Sequence, residues 1–126
     1  MAEPRAARVI GLVSFAVLLA GAALAEPQAP APDALRVRYG EALRDAVHAT
    51  WLPPEGSKPG ARCRLSIQQL PGGEVLEARP LADCAFDATG RQSLIRAVHR
   101  ASPLPYAGFE QVFSRSLVMT FTAGAR

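Results

Sequence analysis

The chain has 126 residues, 49% of them hydrophobic, and this length leaves room for one domain but not for two. Its 14 lysines and arginines exceed its 11 aspartates and glutamates, which gives a formal net charge of +3. The basic residues are spread along the chain with one tryptophan and two tyrosines, so the composition does not favour a nucleic-acid-binding stripe. We expect a small domain with a mixed, solvated surface and no nucleic-acid partner.

The first 25 residues have the three parts of a secretory signal peptide. Arg5 and Arg8 outweigh Glu3 at the start, residues 9–25 carry no charge, and this stretch closes on Ala-Leu-Ala. We expect cleavage between Ala25 and Glu26, and a periplasmic mature protein. The alternative is that residues 9–25 are retained as a membrane anchor, although they are at the short limit for a spanning helix. Cleavage would leave 12 basic and 10 acidic residues, a net charge of +2.

The chain contains two cysteines, Cys63 and Cys84, and export would carry both into an oxidising compartment. They lack the Cys-x-x-Cys spacing of a redox motif. We therefore predict a disulfide, which closes a loop of about 20 residues and contributes about 3 kcal/mol of stability in the chain-entropy model. Buried free thiols and a metal pair are the alternatives, but a metal would need further ligands that the histidine spacing does not offer.

The start of the mature chain has three prolines within residues 26–33, so we interpret residues 26–34 as an extended leader and residues 35–126 as the domain. Apolar residues recur at helical spacing from Leu35 to Trp51, with Asp33 as the expected N-cap. Pro53 and Pro54 end this helix, because a residue that precedes proline avoids the helical region.

Three β-strands and a second helix are expected in the rest of the domain. Alternating apolar and polar residues predict a strand over 62–68, and a Pro-Gly-Gly turn returns the chain into a second strand over 74–79. Asp87 is the expected N-cap of a helix over 88–101, and the β-branched residues of 116–122 predict the last strand. The order α-β-β-α-β favours an α+β fold, in which two helices pack on one face of a three-stranded antiparallel sheet.

No catalytic or cofactor motif stands out in the sequence. There is no Gly-rich phosphate loop, no G-x-S-x-G element and no metal-ligand spacing, and the carboxylates are scattered. We therefore expect no enzyme activity, no cofactor, no metal and no small-molecule substrate, since the usual set of nucleophile, base and orienting group is missing.

The mature domain resembles the C-terminal periplasmic domain of TolA, within the wider TonB C-terminal-like family. The resemblance covers about residues 35–123. Four stretches carry it: Tyr39–Pro54, which ends Trp-Leu-Pro-Pro; the hairpin Arg62–Val75 with its strand cysteine; Phe86–Pro105 with its Pro-Leu-Pro exit; and Phe113–Phe121.

The resemblance implies a binding domain. In this family the domain recruits envelope proteins of the Tol–Pal system, such as TolB, largely by adding a partner strand to the edge of its sheet. The residues expected to form that edge here are Ser116, Leu117, Val118, Met119, Thr120, Phe121 and Thr122. Backbone groups of an edge strand would supply affinity and alternate side chains would supply selectivity.

One departure from the family concerns the segment that precedes the domain. A full TolA has a membrane anchor and a long helical arm there, and its anchor carries a Ser and a His four residues apart. Here Ser14 is followed four residues later by Leu18. We therefore expect a stand-alone periplasmic binding head; the alternative is a membrane-anchored energy-transduction protein of TonB/TolA type with residues 9–25 uncleaved.

Overall fold

The computed structural model describes residues 31–124, which form two helices and one three-stranded antiparallel sheet. The elements in chain order are α1 (Pro32–Thr50), β1 (Arg62–Gln69), β2 (Val75–Pro80), α2 (Ala88–Arg100) and β3 (Ser116–Thr122). The predicted α+β class and element order are confirmed. Among the described residues, no helix combines the length and the apolar character that crossing a membrane requires. The predicted cleavage site at Ala25 and Glu26 lies outside this range.

Helix α1 begins earlier than the hydrophobic pattern predicts. Its first residue is Pro32, and Ala31 is the N-cap without a side-chain hydrogen bond, so the expectation that Asp33 is the N-cap is wrong. Proline is suited to the first turn because its fixed φ is helical and the N–H that it lacks would be unpaired there. Asp33 instead lies within that turn, where a negative charge is favourable. Trp51 ends the helix in extended conformation.

Helix α2 begins as predicted. The Oδ1 of Asp87 accepts a hydrogen bond from the N–H of Gly90 at 2.8 Å, the usual interaction of an N-cap side chain. Leu94 and Val98 of this helix are fully buried, whereas Ile95 is half-buried.

The sheet has the order β2-β1-β3, so the first strand in sequence is the central strand in space. Alternate residues of β1 are buried, and the intervening residues lie on the other face, where Arg62 and Arg64 are exposed and Ser66 and Gln68 are half-buried. Both helices pack on the buried face. The core contains Tyr39, Leu43, Val47, Trp51, Cys63, Leu65, Ile67, Leu94, Val98 and Phe121, among others. The opposite face of the sheet carries no helix among the described residues.

The predicted disulfide between Cys63 and Cys84 is present and buried. It joins the central strand to the segment between β2 and α2. Arg91 of α2 reinforces the same connection, since its guanidinium donates to the backbone carbonyls of Cys84 and Phe86 at 3.0 Å. The start of α2 is thereby held against one end of the sheet.

Candidate functional site

The strand β3 forms one edge of the sheet, and the register shows which of its backbone groups face outward. It pairs with β1 antiparallel, with Ser66 opposite Val118 and Leu65 opposite Met119. The N–H of Gln69 donates to the carbonyl of Arg115 at 2.9 Å, so this pair is a hydrogen-bonded one. Hydrogen-bonded and non-hydrogen-bonded pairs alternate along an antiparallel ladder. Residues of β3 with odd numbers therefore bond to β1.

The even-numbered residues of β3 direct their backbone N–H and C=O groups to the free edge: Ser116, Val118, Thr120 and Thr122. Within residues 31–124, the backbone groups of the last three have no hydrogen-bond partner, while the carbonyl of Ser116 accepts from the Ser114 hydroxyl at 2.8 Å. An unpaired row of this kind is the template to which another extended chain adds.

The other edge of the sheet, β2, is capped at its start. The N–H of Val75 donates to the Ser102 hydroxyl at 3.0 Å, and the N–H of Leu104 donates to the carbonyl of Gly73 at 2.8 Å. Pro80, at the far end of β2, has no N–H to offer. The chain that leaves α2 thus occupies one end of this edge and a proline blocks the other, so β3 presents the longer free edge.

The side chains that alternate along β3 differ in their surroundings. Met119 and Phe121 are buried against the helices, whereas Val118 lies on the open face and is 60% exposed. The ring of His48 in α1 packs edge-on against Phe121, with ring centroids 6.0 Å apart. The C-terminal end of α1 therefore packs against the inner side of β3 at Phe121.

A buried polar network holds the start of β3. The side-chain amide of Gln69 donates from Nε2 to the Tyr39 hydroxyl at 2.9 Å and to the Ser114 carbonyl at 2.8 Å. Burial raises the pKa of the Tyr39 hydroxyl, and the hydrogen bond from Gln69 offsets part of that increase. These contacts connect α1, the central strand and the residues that precede β3, so they fix the edge in place.

A cleft of about 240 Å³ lies at the opposite end of the sheet. The stacked rings of Trp51 and Phe86 contribute to its wall, and Lys58 and Asp87 are its charged lining residues. Asp87 is engaged as the cap of α2, and the Ser57 hydroxyl donates to a backbone carbonyl. Neither histidine of the chain lines it. In the part of the chain that the structure describes, no three acidic, histidine or cysteine side chains are grouped to hold a metal.

The predicted strand over 116–122 coincides with the observed β3, and the predicted cysteines meet in the core. Sequence reasoning missed the cap at the start of β2, because the contacts of Ser102 and Leu104 join residues far apart in the chain. The available signal for these contacts was the Pro-Gly-Gly turn, because consecutive glycines permit another backbone segment to approach closely.

Comparison with known proteins gives one informative likeness. No family model matches the sequence, and no match was found among curated proteins. A solution NMR structure of TolAIII bound to a peptide derived from the N-terminus of TolB has a similar fold, with a TM-score of 0.54 and 20% sequence identity. The match covers 69% of this chain and 73% of the TolAIII chain. The described domain therefore has the TolAIII type of fold.

Proposed function

We propose that this protein is a protein-interaction module of the cell envelope that binds an extended segment of a TolB-type partner by strand addition to β3. The observation that carries the proposal is the asymmetry between the two edges of the sheet. One edge has backbone groups of Val118, Thr120 and Thr122 without partners among the described residues, while the other is capped at its first residue, Val75, and ends in Pro80.

The chemistry of the edge supports strand addition. Each outward residue of β3 offers both an N–H and a C=O, so a partner strand gains main-chain hydrogen bonds irrespective of its sequence. The strand is rigid because its inner face is buried and its register with β1 is continuous from Ser116 to Thr122. A preformed edge of this kind does not have to be ordered on binding, which lowers the entropic cost of association.

We propose that the protein works in the periplasm. The disulfide is compatible with an oxidising compartment, and the sequence of residues 1–25 has the pattern of a signal peptide. The TolAIII structure with its bound TolB peptide supports a TolB-type partner for this fold. We propose binding and not catalysis, since in the cleft beside Trp51 the Ser57 hydroxyl is bonded to a backbone carbonyl and the Asp87 carboxylate caps α2.

The test is the affinity of the purified, oxidised protein for a peptide from the N-terminus of TolB, measured by calorimetry on wild type and two variants. Val118→Pro removes a donor that faces the free edge and should weaken binding about tenfold, near the upper range for the loss of one hydrogen bond. Val118→Thr keeps the N–H and a β-branched side chain and should stay within about twofold of wild type.

Circular dichroism and thermal melting of both variants provide the control for folding. Proline is tolerated on an edge strand when its nitrogen faces solvent, so Val118→Pro should remain folded. Wild-type affinity in a folded Val118→Pro protein would place the binding site elsewhere, and absence of binding by the wild type would refute the proposed function.

A further inference from the structure

The two edges of the sheet differ in how well they are protected against pairing with another strand. β2 contains the charged residues Glu77 and Arg79 and ends in Pro80. Its register with β1 also skips Leu76. Charges, proline and irregular register are features that keep natural edge strands from joining other strands. The strand β3, Ser116–Thr122, contains no charged residue and no proline, and its register with β1 is unbroken, so it has none of these protections.

Val118 lies in the middle of the β3 edge and is 60% exposed on the open face of the sheet. Its backbone N–H and C=O belong to the outward row, together with those of Thr120. Its neighbour Met119 is buried on the other face. Apolar β-branched residues are suited to strands whose side chains pack against cross-strand neighbours. The sequence of this edge is therefore typical of a strand that has a neighbour on both sides.

A second copy of β3 matches this edge in one antiparallel register. Hydrogen-bonded pairs of an antiparallel ladder consist of residues whose backbone groups face each other, so the outward, even-numbered residues must lie opposite one another. When Met119 lies opposite the Met119 of the second copy, Val118 pairs with Thr120, and Ser116 pairs with Thr122. All four outward residues of each copy are then paired, whereas a shift of two residues along the strand leaves one of them outside the ladder.

We infer that the β3 strands of two copies pair antiparallel about a two-fold axis at Met119, which joins their two sheets into one. The axis is perpendicular to the sheet, so the buried faces of both copies lie on one side and the open faces on the other. No like charges meet along the pair, since β3 is uncharged. This inference goes beyond the proposed function, because it gives the same backbone groups a second partner. The paired dimer and an added partner strand exclude each other.

Pairing along a single strand buries little surface, so the association should be weak and is best detected by trapping it. In the inferred dimer the two Met119 Cα atoms lie about 4.5 Å apart, as in other non-hydrogen-bonded pairs, and this distance permits a disulfide. The two Val118 Cα atoms lie about 8 Å apart, because they are offset by two residues along the strands, and this distance is too long for one.

The experiment compares Met119→Cys with Val118→Cys, each purified with the Cys63–Cys84 disulfide formed and checked for folding by circular dichroism. After mild oxidation, covalent dimers are measured by non-reducing gel electrophoresis. We expect Met119→Cys to form them at least about fivefold faster. Random collision would favour the opposite order, because residue 118 is 60% exposed and residue 119 only 7%. Equal rates, or a faster reaction through residue 118, would overturn the inferred pairing.

Sedimentation of the oxidised wild type is a second test that needs no added cysteine. We expect its weight-average mass to rise between about 0.02 and about 1 mM protein. Val118→Lys should suppress this rise by placing a charge on the edge, whereas the matched control Leu76→Lys, at a residue of β2 that is 57% exposed, should keep it. A constant monomer mass, or an equal effect of both variants, would overturn the inference. The proposed function would still stand, since it is judged separately by the TolB peptide and the Val118→Pro variant.

Discussion

Tyr39 joins α1 to the central strand through a buried hydroxyl. This hydroxyl accepts from Gln69 at 2.9 Å, and burial raises its pKa above the ordinary value of 10.0. A raised pKa in the folded state means that the folded protein holds the phenolic proton more tightly than the unfolded chain. The resulting stability is fully present below pH 10 and is lost as the pH rises through the folded-state pKa.

We therefore expect the free energy of unfolding of the wild type to fall more steeply above pH 10 than that of Tyr39→Phe. Near pH 7 the variant should be about 1 kcal/mol less stable, because one donor of the Gln69 amide loses its partner. Urea unfolding from pH 7 to pH 11 measures both effects. If the free energies of unfolding of the two proteins change with pH in parallel across this range, the raised pKa of Tyr39 is contradicted.

The backbone of Leu104 approaches Gly73 closely. Gly73 has a φ of +92°, and a Cβ placed on it would overlap the carbonyl oxygen of Leu104. The neighbouring Gly72 has a φ of +98° but nothing within 4 Å of the same position. The two glycines thus share a backbone conformation that disfavours other residues, and only Gly73 also needs the space.

We expect Gly72→Ala to cost roughly 1–2 kcal/mol for its backbone conformation alone. Gly73→Ala should cost more by at least about 2 kcal/mol, since the segment over the β2 edge must move away and release the hydrogen bond from Leu104. Urea unfolding of the matched pair measures the difference. Equal losses of stability would show that the cap at the start of β2 does not depend on this approach.

At the scale of elements, the disulfide ties β1 to the connection between β2 and α2. Cys63 and Cys84 are 21 residues apart, and opening a loop of this size costs about 3 kcal/mol in the chain-entropy model. For a domain of this size, that loss lowers the melting temperature by roughly 12–24 °C.

Melting by circular dichroism with and without reductant tests this prediction. The double variant Cys63→Ala with Cys84→Ala is the control: it should melt near the temperature of the reduced protein and be insensitive to reductant. Equal melting temperatures of the wild type in both conditions would contradict a stabilising role for the disulfide.

Most elements were predictable because their signals are local. Alternation along Arg62–Gln69, the cap at Asp87 and the uncharged β-branched run of β3 each depend on neighbouring residues. The start of α1 at Pro32 was missed because the hydrophobic repeat begins at Leu35, whereas a proline in the first turn needs no apolar partner.

The candidate site was predictable only in part. The sequence identifies β3 as a strand, and the family resemblance points to it as an edge. The contrast between the two edges depends on the spatial order β2-β1-β3 and on contacts of Ser102 and Leu104, which are non-local. The outward direction of the Val118 N–H likewise follows from register, which strand propensity does not determine.

The described domain as a whole is a two-layer structure with one covered and one open sheet face, and with a free edge at β3 that is longer than the one at β2. The disulfide and the Tyr39–Gln69 contact brace the sheet from inside, so the free edge is part of a rigid scaffold. A rigid edge with unpaired backbone groups is suited to recognising an extended chain, and the TolAIII fold is the architecture in which this protein presents it.

The most direct test of strand addition is amide hydrogen exchange of the oxidised protein, followed by NMR with and without the TolB N-terminal peptide. Free protein should exchange quickly at Val118, Thr120 and Thr122 and slowly at Met119 and Phe121, whose N–H groups face β1. Peptide binding should slow the first three amides selectively. Saturating peptide that leaves those three amides unprotected, while it protects amides elsewhere, would contradict binding at the β3 edge.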